Sequence, residues 1–168
     1  MKIVSIAISS KKGTRKSCMD EAELIQNHGL KGDAHAGEWH RQVSFLAQES
    51  IEKARQQGLE VSFGDFAENI ATLGIDWLRL PVGTRLRLGA TAVVEVTQIG
   101  KECHHKCAIY YKAGDCIMPR EGVFARVLRG GNVHTGDAIE IVADGAEEIA
   151  RFLQDLSQKG DLFRASAS

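Results

Sequence analysis

The segment Thr91–Ile99, written TAVVEVTQI, constrains the fold more than any other part of this 168-residue chain. Its apolar and β-branched residues alternate with polar ones, which is the pattern of a half-buried strand. The end of the preceding segment Leu78–Leu88 shows the same alternation, and Gly89-Ala90 lies between the two. A glycine-containing pair at this place predicts a tight hairpin turn. The hairpin indicates a fold built mainly from β-structure.

Other short segments show the strand pattern and are separated by glycine-rich turns. Strands are predicted at residues 2–8, 21–26, 41–46 and 137–142, with a turn leading into a strand at 63–70. Residues 122–128 are compatible with a helix or a strand. Residues 28–40 contain three glycines and no apolar period, which predicts a loop.

Two segments have helical spacing of apolar residues. Gln48–Gln57 is a predicted helix that ends before a glycine, and Gly145–Gln158 is a predicted amphipathic helix followed by a frayed tail. There is no repeat and no alternation of strands with helices. The sequence therefore predicts a mainly β, α+β fold, closed or partly closed into a barrel. We expect one domain, with residues 1–145 forming the barrel and residues 146–168 adding the helix and tail.

The composition excludes several classes of protein. The formal net charge of −1 gives no support for a nucleic-acid partner. No stretch approaches the roughly 18 apolar residues of a membrane span, and the opening MKIVSIAISS is too briefly apolar for a signal peptide. A cytoplasmic protein without a membrane partner is expected, in which thiols stay reduced. Four cysteines are also too few for a disulfide scaffold.

The cysteines are clustered directly after the strongest predicted strand. Three of the four cysteines and two of the six histidines fall between Cys103 and Cys116, beginning with the run KECHHKC. The lysines and histidines beside Cys103 favour its thiolate, which is the reactive form of the side chain. A thiol packed at a strand end is the alternative interpretation.

A zinc site is a third interpretation of the same cluster. A closed zinc site needs four ligands, and Cys103, Cys107, Cys116 and either His104 or His105 supply that number. The spacing lacks the paired C-x-x-C knuckles of structural zinc sites, so no metal ligand is predicted.

A second group of chemically active residues lies in the glycine-rich segment GLKGDAHAGEWHRQVSFL. Lys31, Asp33, His35, His40 and Arg41 bring charges of both signs into a predicted loop. Backbone N–H groups and cations in such a loop hold a phosphate or carboxylate. The alternative is a solvated surface loop, and the same choice applies to the arginines that follow Cys116.

The basic run Lys11–Lys16 falls in a predicted turn of the chain. We expect a solvated loop there, and the alternative is a loop that helps to hold an anionic ligand.

Taken in order, these segments resemble the MOSC domain, the C-terminal domain of molybdenum cofactor sulfurases. The resemblance covers roughly residues 3–142 and includes the F-G-x-x-x-E-N pattern at Phe63–Asn69, the strand leading to Cys103 and the G-D pair at Gly136-Asp137. The chain is most similar to the small stand-alone bacterial members. The resemblance implies a β-rich barrel that binds the molybdenum cofactor or carries sulfur.

The resemblance implies that Cys103 is the sulfur carrier. A partner is expected to donate sulfane sulfur to Cys103 as a persulfide, one of the reversible modifications of cysteine. The persulfide then delivers sulfur to the metal centre of the cofactor, and Cys107 or Cys116 acts as the resolving thiol by forming a disulfide. Some relatives have a proline directly before the cysteine, where this chain has Glu102.

The molybdenum cofactor (molybdopterin) carries a phosphate, which arginine forks fit in a bidentate manner. Asn69 is expected to bond a pterin edge, with the tying of a turn as its alternative role. The expected cofactor-binding residues are Lys31, Asp33, His35, Arg41, Asn69, His104, Arg120 and Arg126.

The resemblance also implies the partners. The chain has no room for the pyridoxal-phosphate desulfurase domain of the full sulfurases, so no bound pyridoxal phosphate is expected. A cysteine desulfurase or another donor must supply the sulfur, and a molybdoenzyme or cofactor-biosynthesis protein must receive the product. The alternatives are a non-catalytic module that binds or delivers the cofactor or molybdate, and a structural zinc protein that acts as an interaction partner.

Overall fold

The structure is a computed structural model that describes residues 1–102, 110, 111 and 116–142. In these ranges helix α1 is Gln48–Gln56, a 3₁₀ turn covers Trp77–Arg79, and helix α2 is Met118–Glu121. The strands are β1 (Lys2–Ile8), β2 (Ser17–Met19), β3 (Glu21–Ile25), β4 (Gly29–Leu30), β5 (Val43–Ala47), β6 (Ile70–Leu73), β7 (Arg85–Leu88), β8 (Ala92–Ile99), β9 (Val123–Arg129), β10 (Gly131–His134) and β11 (Ile139–Val142). Neither helix has the length and apolar character needed to cross a bilayer.

The described strands form two sheets. Eight of them lie in the order β11-β7-β8-β9-β5-β6-β1-β2, and the other three lie in the order β10-β3-β4. Neighbouring strands are antiparallel except β5 and β6, which are parallel. The predicted hairpin is confirmed, because β7 and β8 pair from Arg85 with Glu95 to Leu88 with Ala92.

The predicted mainly β architecture is confirmed, but the predicted barrel is not. No described sheet closes on itself, because the edge strands β11 and β2 have no ladder between them. The chain before β11 instead meets β1, where Lys2 and Ala138 form an isolated bridge and backbone hydrogen bonds join Ile3 to Gly136 and Asp137. Strand β10 continues the chain after β9 but turns away to pair with β3. The predicted domain extent and C-terminal helix involve residues 143–168, which lie outside the described residues.

Strand β5 is buried along its whole length because apolar side chains pack against both of its faces. Val43 and Phe45 point into the larger hydrophobic cluster, to which both sheets contribute side chains. Leu46 points into a smaller cluster between the sheet, α1 and the segment around Phe66. This explains why VSFLA is nearly continuous in apolar character, as strands covered on both faces are.

The loop of the F-G-x-x-x-E-N pattern crosses between the two clusters and is tied by buried polar groups. Gly64 has φ of 83° and donates its N–H to Glu68 Oε1 at 2.5 Å. Asn69 accepts hydrogen bonds at Oδ1 from the N–H and the hydroxyl of Ser44, at 3.1 and 3.0 Å. Its amide donates to the carbonyl of Ala7 at 3.1 Å. These bonds join the loop to β5 and β1.

Glu68 is a buried carboxyl group whose Oε2 has no hydrogen-bond partner among the described residues. Burial raises its pKa to about 7, against the opposing effect of backbone N–H groups such as that of Gly64. Desolvation penalises the charged form of a carboxyl group. The fold therefore prefers Glu68 in its protonated form.

The close contact at Gly64 predicts a large loss of stability for Gly64→Ala. A Cβ at this residue would collide with the backbone oxygen of Lys16, and the positive φ is unfavourable for alanine. We expect the variant to lose about 1–2 kcal/mol from the backbone conformation and about 1–3 kcal/mol more from the collision. Denaturant unfolding at constant pH measures the loss.

Gly83→Ala is the matched control for this prediction. Gly83 also has a positive φ, 95°, but a Cβ there meets nothing within 4 Å. Its variant should show the conformational cost alone. Equal losses in the two variants would mean that the approach of Lys16 to Gly64 does not limit the loop.

The raised pKa of Glu68 predicts a specific dependence of stability on pH. Between the unfolded value near 4.5 and the folded value of about 7, the folded state binds more protons, so stability falls as pH rises through this window. Glu68→Gln mimics the protonated form and should remove this fall. Relative to the parent, the variant should gain on the order of 3 kcal/mol between pH 4.5 and pH 8.

The measurement is the free energy of unfolding at several pH values, with Glu60→Gln at an exposed position as the control. The control should follow the parent at every pH. A constant difference between Glu68→Gln and the parent would show that Glu68 does not bind a proton on folding.

Candidate functional site

A pocket of about 180 Å³ lies where the loop before β5, the F-G-x-x-x-E-N loop, the start of β9 and the chain after β8 converge. Three of its lining side chains are basic: His35, Arg41 and Lys101. The remaining lining residues are Trp39, Ser44, Phe66, Ala67, Asn69, Met118 and Phe124. No acidic residue of the described chain is among them. The pocket is therefore suited to an anion.

Arg41 is held between two aromatic rings. Its guanidinium carbon lies 4.7 Å from the ring centre of Trp39 and 5.6 Å from that of Phe124. The indole N–H of Trp39 donates to the carbonyl of His35 at 2.8 Å, which orients the ring. Arg41 Nε is buried and has no hydrogen-bond partner among the described residues. A buried donor without a partner is costly, so a ligand acceptor would stabilise it.

A buried ion pair lies behind His35. The side chains of Lys16 and Asp33 are 1% and 0% exposed, and Lys16 Nζ donates to Asp33 Oδ1. Asp33 also accepts hydrogen bonds from the N–H groups of Ser9 and His35, each at 3.0 Å. These contacts hold the loop before β5 against the end of β1.

The pKa of each member of this pair is shifted by opposing effects. Burial lowers the pKa of Lys16, and the hydrogen bond and charge of Asp33 partly offset that effect. Burial by itself raises the pKa of Asp33, but His35, Lys16 and the N–H of Ser9 together lower it well below its usual range. The carboxylate of Asp33 is therefore ionised in the folded protein at neutral pH.

Lys101 reaches the pocket from the end of β8. The N–H of Gly100 donates to the carbonyl of Gly122 at 2.6 Å, and the N–H of Lys101 donates to that of Pro119 at 3.2 Å. These bonds fasten the strand end to helix α2, which also brings Met118 into the lining. The chain therefore leaves the most strongly predicted strand at the rim of the pocket.

Three of the expected cofactor-binding residues meet at this pocket, namely His35, Arg41 and Asn69. The amide of Asn69 is occupied by Ser44 and Ala7, so its contacts are those of a residue that ties a turn. Asp33 lies behind the pocket as the partner of Lys16. The geometry thus separates ligand-facing groups from the groups that support them.

Other expected residues lie elsewhere. Lys31 is exposed and donates to Glu23 at 2.6 Å, a contact that raises its pKa. Arg126 pairs with Glu95 at 2.7 Å on the outer face of the sheet. Arg120 is exposed on α2 and is not a lining residue.

Of the three clustered cysteines, the structure describes only Cys116. Cys116 is buried in the smaller hydrophobic cluster together with Phe66 and Met118, two residues that line the pocket. Cys103, His104 and Cys107, for which the sequence predicts roles, lie outside the described residues. Among the described residues, no group of three or more histidine, cysteine or acidic side chains is placed to hold a metal ion.

The sequence analysis missed Lys16 and Trp39. Lys16 was expected in a solvated turn, yet it is buried because Asp33 pairs with it. Trp39 gives no periodic signal in a glycine-rich loop. Its position two residues before Arg41 was the available hint, since an aromatic ring beside an arginine commonly stacks on the guanidinium.

Comparisons with known proteins identify the family of this chain and similar folds. A family model of the MOSC domain matches residues 32–140. A search of curated proteins finds no match.

Among solved structures, the fold is similar to that of the YUAD protein from Bacillus subtilis, with a TM-score of 0.68, 20% identity, and coverage of 83% of this chain and 94% of that one. YiiM from Geobacillus stearothermophilus has a TM-score of 0.65 and 20% identity, covering 86% and 76%. YiiM from Escherichia coli has a TM-score of 0.59 and 22% identity, covering 85% and 70%. At these identities the likeness concerns the fold alone. Because the family model matches more than half of the sequence, the chain belongs to the MOSC domain family.

Proposed function

We propose that this protein binds the molybdenum cofactor and carries sulfur for it on a cysteine. The proposed cofactor binding rests on the pocket, which has three basic lining residues and no acidic one among the described residues. The family is associated with the molybdenum cofactor, and the phosphate of that cofactor is an anion that requires such a site.

The size of the pocket limits which part of the cofactor it holds. Sites for whole drug-sized ligands have volumes of roughly 300–1,000 Å³, and this pocket has about 180 Å³. We therefore assign to it the anionic end of the cofactor. Arg41 and Lys101 contribute charge, and His35 contributes a ring nitrogen.

The residues that would hold such a group are already oriented in the protein without a ligand. Trp39 and Phe124 orient the guanidinium of Arg41, and the Lys16–Asp33 pair supports the backbone of His35. The cofactor, when bound, would supply a molybdenum centre able to take up the sulfur.

The second half of the proposal assigns the sulfur to Cys103. It follows Lys101 by two residues, so the sequence brings it close to a lysine that lines the pocket. The Cys103 thiolate attacks the outer sulfur of a donor persulfide, a new S–S bond forms, and the donor leaves as a thiolate. A cysteine desulfurase is the proposed donor, and a molybdoenzyme or cofactor-biosynthesis protein is the proposed recipient.

A resolving thiol completes the exchange in this proposal. Attack of a second thiolate on the Cys103 sulfur forms a disulfide and releases the outer sulfur as sulfide. Cys107 and Cys116 are the proposed candidates. Burial of Cys116 with Met118 and Phe66 means that the side chain needs a local rearrangement to take this role.

Replacement of Cys103 by serine tests the sulfur-carrier half. After treatment with a cysteine desulfurase and cysteine, the parent should gain one sulfur on the peptide that contains Cys103, measured by mass spectrometry. Cys103→Ser should gain none, while Cys18→Ser, at an exposed cysteine on β2, should load like the parent. Equal loading of Cys103→Ser and the parent would rule out Cys103 as the carrier.

Replacement of Arg41 tests the binding half. With cofactor released from a purified molybdoenzyme as the probe, Arg41→Met should bind about tenfold more weakly or worse, because a charge-assisted hydrogen bond is lost. Arg126→Met is the matched control, since Arg126 is already paired with Glu95 outside the pocket. Equal affinities of both variants would exclude this pocket as the cofactor site.

The two tests also distinguish a sulfur carrier from the alternative, a non-catalytic binding module. A non-catalytic module that binds or delivers the cofactor requires only the pocket, whose described lining contains no cysteine. For such a module, cofactor affinity depends on Arg41 while no cysteine peptide gains sulfur.

A further inference from the structure

The basic run Lys11–Lys16 lies beside the pocket, although none of its side chains belongs to the pocket lining. Two contacts fasten the start of this loop to the loop before β5. The N–H of Ala34 donates to the carbonyl of Ser9 at 2.8 Å, and the N–H of Ser9 donates to Asp33 Oδ1 at 3.0 Å. The basic loop is therefore held next to the segment that carries the pocket residues.

The four basic side chains of the loop differ in their partners. Arg15 and Lys16 each form an ion pair with an aspartate. Lys11 and Lys12 are exposed, and neither is paired with a carboxylate of the part of the chain that the structure describes. Two positive charges of the loop are thus available to a ligand.

Lys12 lies over a ring that lines the pocket. Its Nζ is 5.7 Å from the ring centre of Trp39, and the guanidinium carbon of Arg41 is 4.7 Å from the same centre. The sum of these two distances is the largest separation that the two cations can have, and it is close to the Debye length of about 10 Å at 0.1 M salt. Both cations therefore act on one bound anion or on two anionic groups that are joined.

The two cations differ in what they can do for a ligand. Arg41 is buried in the pocket wall, where its Nε has no partner among the described residues. Lys12 is a point charge on a flexible four-carbon stem at the surface. A first anionic group beside Arg41 fills much of a pocket of about 180 Å³, so a second group joined to it extends outward. Such a group comes within reach of Lys12.

We propose that Lys12 forms an outer anion subsite at the edge of the pocket, so that the ligand held there is an organic diphosphate and not a monophosphate. The inference deepens the proposed function and rests on it. Arg41 holds one phosphate inside the pocket, and Lys12 contacts the adjoining phosphate, to which the organic part is attached. Lys11, its neighbour in the chain, adds to the positive field.

The probes that test the subsite are adenosine diphosphate (ADP) and adenosine monophosphate (AMP), which differ by one phosphate. Each is titrated calorimetrically into the full chain at pH 8 without divalent cations. The parent should bind ADP about fivefold more tightly than AMP, which is the most that an exposed ion pair usually contributes. In Lys12→Met the two affinities should be equal, with the affinity for AMP changed by less than about twofold.

Lys2→Met is the matched control, because it removes the same charge from an exposed lysine without a carboxylate partner in the described chain. Lys2 lies at the opposite end of β1 from the basic loop. At about 3.3 Å per residue, that separation is roughly 20 Å along the strand. The control should keep the preference of the parent for ADP. An equal loss in both variants would assign the preference to net charge and overturn the subsite.

The remaining outcomes separate the subsite from the pocket. Equal affinities of the parent for ADP and AMP, with AMP binding weakened in Arg41→Met, would overturn the subsite and leave the anion pocket in place. A preference for ADP that persists in Lys12→Met would also overturn it. No binding of either nucleotide would overturn both the subsite and the assignment of this pocket to an anionic group.

Discussion

The buried ion pair of Lys16 and Asp33 is the interaction on which the arrangement of the pocket depends. It joins the connection after β1 to the loop before β5, and it holds the N–H groups of Ser9 and His35 at the same carboxylate. Removing one partner of a buried pair leaves an uncompensated charge, which costs about 3–5 kcal/mol. Two loops that are distant in sequence are therefore joined at one buried carboxylate.

The rest of the pocket is assembled around β5. Its N-terminal end places Arg41 and Ser44, while its neighbours β6 and β9 place Asn69 and Phe124. Because β5 is covered on both faces by the two hydrophobic clusters, the groups at its start are attached to a fully buried strand. Binding groups on such a frame are held more closely than groups on free loops.

Some elements could be predicted from the sequence because their residue patterns are local. These are the strands with clear alternation, the hairpin at Gly89 and helix α1. Strand β10 could not be predicted, since only Val133 of its four residues is buried and its formation depends on pairing with β3. Closure of a sheet is likewise a property of distant edges, and no local pattern reports it. The predicted barrel therefore went beyond what alternation alone supports.

The residues of the site likewise divide into those with a local sequence signal and those whose position depends on distant contacts. His35 and Arg41 were predicted as site residues because their loop combines glycines with charges, and both line the pocket. Lys16 is buried where a solvated turn was expected, and Arg126 lies outside the pocket, because the position of a basic side chain depends on which carboxylate the fold brings to it. Asp33 takes Lys16 into the interior, and Glu95 keeps Arg126 on the outer face.

The stacking of Arg41 between Trp39 and Phe124 has a thermodynamic consequence for binding. A free arginine side chain loses up to about 2 kcal/mol of rotamer entropy when a ligand immobilises it. Here the rings restrict the guanidinium before any ligand is present, so that loss accompanies folding instead of association. Affinity for an anion thereby becomes linked to the local stability of the loop that carries Trp39, and a change that loosens this loop weakens binding while every charge in the pocket remains.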